Sequence, residues 1–140
     1  MEESYGRPLP VTKGIAEKFW NALNQEKFLY QRCDDCLAAI FYPRVVCPQC
    51  MSDNLSWQTS SGKGNVYTYT VVYKPVDARF KPIAPYVVAL IDLDEGIRVM
   101  GNIVGWHDPE AIQVGQRVAV EYQRVTDQIT LPMFRVEQEG

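Results

Sequence analysis

The chain has 140 residues, 46% of them apolar, and a formal net charge of −3 at pH 7. That composition supplies a buried core and excludes wholesale disorder, and the length suits one domain, or one domain with a small satellite. The acidic balance argues against a general affinity for nucleic acid or anionic membrane.

In chain order, the first ten residues, MEESYGRPLP, read as an irregular arm. They carry Glu2 and Glu3 but no apolar stretch of the signal-peptide kind. The longest apolar run, Tyr86 to Ile91, is too short to span a bilayer, so the expected location is cytoplasmic. Reducing conditions there favour metal thiolates over disulfides. Thr12 is placed to cap a helix from about Lys13 to Gln25, extending toward Phe28, because Ile15, Phe19, Ala22 and Leu23 recur at helical spacing. Trp20 widens this apolar face. One short helix cannot bury Phe19, Trp20, Leu23 and Phe28 alone, so it either lies on the rest of the fold or meets a partner.

Residues 30–58 hold all four cysteines, as Cys33-x2-Cys36 and Cys47-x2-Cys50 with ten residues between the pairs. Each pair makes a tight turn, and two such turns aim four sulfurs at one ion. Four thiolates leave no open coordination position, which marks a structural zinc site, and iron suits the same cage. Neither pair opens a helix after a strand, as a thioredoxin-like redox role requires. So small a segment buries little surface, and metal binding there is folding energy. It ends in Leu55 and Trp57, read as part of a short strand, before a turn-rich junction at residues 60–66.

From Val66 the pattern becomes β. Val66–Tyr73, Tyr86–Leu93, Arg98–Val104, Arg117–Val125 and Thr130–Val136 are rich in β-branched and aromatic residues and are separated by turn signals. Strands without crossover helices predict a small antiparallel barrel. Residues 74–85, KPVDARFKPIAP, form a long loop carrying Phe80 and a net charge of +2, from Lys74, Arg79 and Lys81 against Asp77. Together with Lys63 it reads as one positive region on an acidic chain.

No constellation for catalysis emerges. His107 is the only histidine, no serine has a G-x-S-x-G setting, Asp92, Asp94 and Glu95 fall in a turn, and Gly62-x-Gly64 precedes a strand. The residues point away from an independent enzyme and leave open a subunit that completes another protein's site. A single-stranded nucleic-acid-binding module also stays open, because Tyr67, Tyr69, Tyr73 and Phe80 could stack bases, although no basic stripe follows them.

Several stretches carry a resemblance when taken together. They are Phe19-Trp20, Gln31-Arg32-Cys33-x-x-Cys36, Phe41-Tyr42-Pro43-Arg44 and Cys47-Pro48-x-Cys50. Further on come Ser61-Gly62-x-Gly64, Val66-Tyr67-Thr68-Tyr69-Thr70, Gly115-Gln116-Arg117-Val118 and Leu131-Pro132-Met133-Phe134. In this order and spacing, from about residue 15 to residue 136, the chain resembles the DUF35, or ChsH2-like, family. It departs from the family pattern at Leu37, where glycine is usual, and at Tyr42, where proline is common.

The resemblance implies a mainly β fold. An arm and helix would occupy residues 1–29, a rubredoxin-like zinc ribbon residues 30–58, and a five-stranded OB-fold barrel residues 59–140. It implies an accessory or scaffold subunit, without catalysis by this chain alone, of a thiolase-type enzyme that breaks or makes C–C bonds in acyl-CoA substrates. The expected assembly is a hetero-oligomer built on a thiolase dimer, with Phe19 and Trp20 in the docking helix and no nucleic-acid or membrane partner. One structural zinc per chain would sit on Cys33, Cys36, Cys47 and Cys50. CoA or acyl-CoA would be shared with the partner, with Lys63, Lys74, Arg79, Phe80 and Lys81 as its contacts.

Overall fold

The computed structural model describes residues 6–137; the first five residues of the expected arm, with Glu2 and Glu3, and residues 138–140 lie outside it. A 3-10 turn at Gly14–Ala16 leads into α1, Glu17–Leu23. This helix is shorter than Lys13 to Gln25, and Ala16, not Thr12, stands at its N-cap with no side-chain cap. The backbone explains the difference. Gly14 at φ 83° and Glu26 at φ 59° are left-handed, so helical geometry cannot run through either residue. Of the expected stripe, Phe19 and Leu23 are fully buried, while Ile15 stays largely exposed.

Phe28 does not extend the helix but starts β1, Phe28–Cys33. With β2, Ala39–Ile40, and β3, Leu55–Ser60, it makes an antiparallel sheet in the order β2-β1-β3. The register runs from Phe28 opposite Ser60 to Cys33 opposite Leu55, which places the first cysteine where the sheet ends.

The other five strands close a barrel. They are β4, Lys63–Val72; β5, Tyr86–Leu93; β6, Arg98–Val104; β7, Arg117–Arg124; and β8, Thr130–Val136. Their order around the barrel is β4-β5-β6-β8-β7, with one short parallel contact between β6 and β8. This is the OB-fold arrangement of a small, partly open Greek-key barrel. β4 begins earlier than the sequence suggests. Lys63 to Asn65, read as part of a turn, pair with β7, Lys63 lying opposite Ala119.

One core joins the elements. Along β5 the side chains alternate between half-buried and buried, with Val87, Ala89, Ile91 and Leu93 inside. Phe19 and Leu23 of α1 and Phe28 and Tyr30 of β1 belong to the same apolar cluster as Val66, Ile91, Ile103, Val118 and Phe134 of the barrel. A second, polar tie sits in the β5–β6 turn. The Ser60 hydroxyl donates to one carboxylate oxygen of Glu95 over 2.6 Å, and the Ser61 N–H donates to the other over 2.7 Å.

Burial raises the pKa of Glu95, but the bonds from Ser60 and Ser61 outweigh it and the net shift is downward. A lowered carboxylate pKa contributes stability above the unfolded-state value, and that contribution is lost as pH falls through the folded value. Glu95→Gln is therefore expected to lower the melting temperature at neutral pH, with the gap closing in acid. Thermal denaturation across pH checks this, and a constant gap would contradict it.

Candidate metal centre and adjoining groove

The cysteines arrive on two turns of the same design. At the end of β1 the Leu37 N–H donates to the Cys33 carbonyl over 2.9 Å, and in the second turn the Met51 N–H donates to the Cys47 carbonyl over 2.9 Å. Leu37 and Met51 both take φ 67°, a left-handed position that glycine fills without strain. Leu37 in place of the family's glycine therefore keeps the turn, and its side chain points largely into solvent.

Amide groups aim at sulfur, from Cys36 N–H to Cys33 Sγ at 3.4 Å and from Gln49 N–H to Cys47 Sγ at 3.3 Å. The four sulfurs lie within 4.8 Å of one another, with Cys33–Cys50 and Cys36–Cys47 both at 3.6 Å. Zn–S bonds of ~2.3 Å at tetrahedral angles separate sulfurs by ~3.8 Å, so the cage fits. A disulfide needs ~2.05 Å, which none of these pairs approaches. The amide of Cys36 lowers the Cys33 pKa to about 7. The Ser52 amide lowers that of Cys50, but the neighbouring Cys33 thiol and burial outweigh it, pushing Cys50 up to about 12. Four thiolates this close repel one another, and a soft divalent cation relieves the repulsion.

The loop between the turns is held from β1. The buried Gln31 side chain accepts from the Arg44 N–H at 2.7 Å and donates to the Arg44 carbonyl at 3.0 Å. This clamp presents Phe41 and Tyr42 to α1. Phe19 makes edge contacts with Trp20, Phe28, Phe41 and Tyr42, at centroid distances of 5.3 to 5.7 Å. Trp20 Nε1 donates to the Tyr42 hydroxyl over 2.8 Å. Tyr42 thus gives α1 a partner that proline could not. It also corrects the expected docking role of Phe19, which is 2% exposed at the joint of helix, ribbon and barrel. Trp20 and Phe41 are half-buried there, and Tyr42 is exposed.

The expected positive region is dispersed. Lys63 opens β4 and Lys74 follows its far end, so the strand's full length separates Lys63 from the loop. Lys63 sits instead beside Asp94. Within the loop, Arg79 is held by Asp77 at 2.7 Å, and the paired guanidinium lowers the Asp77 pKa to about 2. Phe80 packs against Tyr86, at 5.7 Å between ring centroids. Lys74 precedes a 3-10 turn, Ala78–Ile83, which carries Arg79, Phe80 and Lys81.

The tyrosines that could stack bases in the alternative reading have other occupations. The Arg98 guanidinium lies 3.5 Å over the Tyr67 ring, the Tyr69 hydroxyl donates to the Ile112 carbonyl, and the Tyr73 hydroxyl donates to Glu110. Among the described residues, no helix is long and apolar enough to cross a membrane.

A groove went unread in the sequence. It has a volume of about 340 Å³ and runs between β6 and β8, with Val99 to Asn102 on one wall and Leu131 to Phe134 on the other. Trp20, Tyr42, Phe41, Phe28 and Phe19 close one end. Leu131-Pro132-Met133-Phe134 stood out only as a motif; its place opposite β6 depends on a non-consecutive strand pairing that no local pattern reveals.

Comparison with known proteins adds a family. Residues 20–56 match the ChsH2 rubredoxin-like zinc ribbon domain, and residues 57–123 match the ChsH2 C-terminal OB-fold domain. A DUF35 domain-containing scaffold protein of Methanothermobacter thermautotrophicus is 39% identical over 98 residues, which is 69% of this chain and 72% of the relative. A protein named "Probable enoyl-CoA hydratase alpha subunit" of Thermomonospora curvata is 34% identical over 129 residues, 92% of this chain; the match spans 40% of that longer relative. A solved structure named "Ltp2-ChsH2(DUF35) aldolase" superposes with a TM-score of 0.80 at 33% identity, covering 91% of this chain and 98% of that one.

Proposed function

Because this chain belongs to the ChsH2-like DUF35 family, a zinc ribbon joined to an OB-fold barrel, we propose that it is the accessory subunit of a thiolase-like enzyme acting on acyl-CoA. The observation that carries this reading is the match over 98% of a chain named as part of an Ltp2-ChsH2(DUF35) aldolase. The chain would scaffold and stabilise the partner, whose own residues break or make the C–C bond. Cys33, Cys36, Cys47 and Cys50 would hold one zinc that organises the ribbon and touches no substrate. Residues 30–58 and 59–140 would act as the ribbon and barrel units of that scaffold.

Lys74 and Lys81, flanking Phe80, are the proposed contacts for CoA phosphates at the mouth of the partner's channel. Arg79 is engaged by Asp77, and Lys63 lies at the opposite end of β4. Ammonium groups recognise phosphate as point charges, so such contacts weaken with salt.

The test is an acyl-CoA cleavage or condensation assay with the thiolase-like enzyme of the same cells. The purified chain alone is expected to turn over no substrate, while its addition raises the melting temperature and the rate of the partner. A partner that is equally stable and equally fast without it would contradict the proposal.

A further inference from the structure

The barrel wall is split between β6 and β8. β6 pairs with β5 from Arg98 to Ile103 but meets β8 only at Ile103 opposite Phe134 and Val104 opposite Arg135. β8 pairs with β7 along its whole length. The edge of β6 before Ile103 and the edge of β8 before Phe134 therefore face each other across the groove, and neither has a strand partner there among the described residues. Open edges are ordinarily blunted by charge or proline. β8 has Pro132, which lacks an N–H, in the position tolerated at an edge. The β6 edge carries no such guard between Val99 and Asn102, and its only charged residue, Arg98, is engaged by Asp92 at 2.6 Å and by Tyr67.

The electrostatics of the groove select what fits. Among the described residues, none that lines it is charged. By contrast, Asp77–Arg79, Asp92–Arg98, Asp94–Arg117 and Glu121–Arg135 are ion pairs elsewhere on the surface. Met100 at the groove's mouth is 73% exposed, while Gly101 beside it lies against the Phe134 ring, which a Cβ there would meet at 2.9 Å. A charged segment would lose its hydration here without gaining a counter-charge. An extended, uncharged segment would satisfy the free main-chain groups of β6 and cover Met100, Leu131 and Met133, in the manner of strand addition.

We propose that the β6–β8 split is the seat of the partner enzyme, and that it receives an extended apolar segment of the thiolase-like subunit, with Trp20 and Tyr42 as its end wall. The inference rests on the accessory-subunit reading, and the test separates the two. The tagged full-length chain is expressed in its native cells and the captured subunit is identified by mass, first with the wild-type sequence. Met100→Glu is then compared with Val114→Glu, an equally exposed apolar position at 67% that lies in the turn before β7. A photo-crosslinking residue is placed at each of the same two positions in turn.

The expected result is that Met100→Glu cuts recovery of the thiolase-like subunit by about tenfold or more while Val114→Glu does not. Both variants keep the wild-type melting temperature, and the subunit crosslinks from position 100 only. If the wild type captures the subunit but Met100→Glu captures it equally, or the crosslink forms from position 114 alone, the partner sits elsewhere and the inference falls. If the wild type captures no such subunit, the accessory reading itself fails, and the inference with it.

Discussion

Removing the metal, by chelation or by Cys47→Ser, is expected to unfold residues 33–55 while the barrel persists. The ribbon's own core consists of Cys33, Ile40 and Cys47, with Ala38 and Leu55 against it. Burying an aliphatic side chain contributes about 1.5–3 kcal/mol. Ordering the backbone costs about 1–2 kcal/mol for each residue. A handful of buried side chains cannot offset that cost along two turns and the loop between them. Structural zinc in comparable small sites supplies about 10–16 kcal/mol of apparent binding energy, enough to close the gap. The loss takes β2 but stops at β1 and β3, because Phe28, Leu29 and Tyr30 of β1, and Trp57 of β3, pack on the main core. Hydrogen exchange should show protection disappearing from residues 33–55 and remaining in β5 and β6. Unchanged protection in the ribbon after complete metal removal would contradict the account.

Phe19→Ala is the second large effect, expected to cost about 3–5 kcal/mol. The ring is buried among Trp20, Phe28, Phe41 and Tyr42, where α1, ribbon and barrel meet. The rings around it are fixed by other contacts, Phe28 by Phe41 and Phe134, and Tyr42 by Trp20, so collapse cannot fill the cavity. For a chain of this size the loss corresponds to a drop of roughly 10 °C or more in melting temperature. Ile15→Ala, on the same stretch but 54% exposed, is the control and should change stability little. Urea denaturation of the two variants decides the matter; equal midpoints would mean that α1 does not brace the joint.

Both effects trace back to how differently the sequence displays its parts. β5, β6 and β8 are legible to the residue because β-branched and aromatic residues fill them and turn residues bound them, and β5 in addition alternates between half-buried and buried. The cysteine cage is legible because its chemistry is written in spacing alone. β1 is not. FLYQRC is almost continuously buried, with no period of two, and its strand identity comes from pairing with β3 across more than twenty residues. The short helix misleads for a related reason, since its apolar spacing continues on either side of the left-handed Gly14 and Glu26.

The candidate contacts divide in the same way. Charge counting grouped Lys63 with the 74–85 loop, but strand length separates them. Arg79 is a candidate contact by its charge, although Asp77 two residues earlier holds it. The groove depends on β6 and β8 lying apart before they meet in a two-residue parallel contact, a tertiary event with no local signature.

The central claim is most directly tested by affinity capture of the tagged chain from its native cells, with partner mass and zinc content determined on the same sample. The expected result is a thiolase-like subunit in fixed ratio to this chain, with about one zinc for each copy of the chain. A chain that elutes alone, or with nucleic acid in place of the enzyme, would contradict the accessory-subunit account.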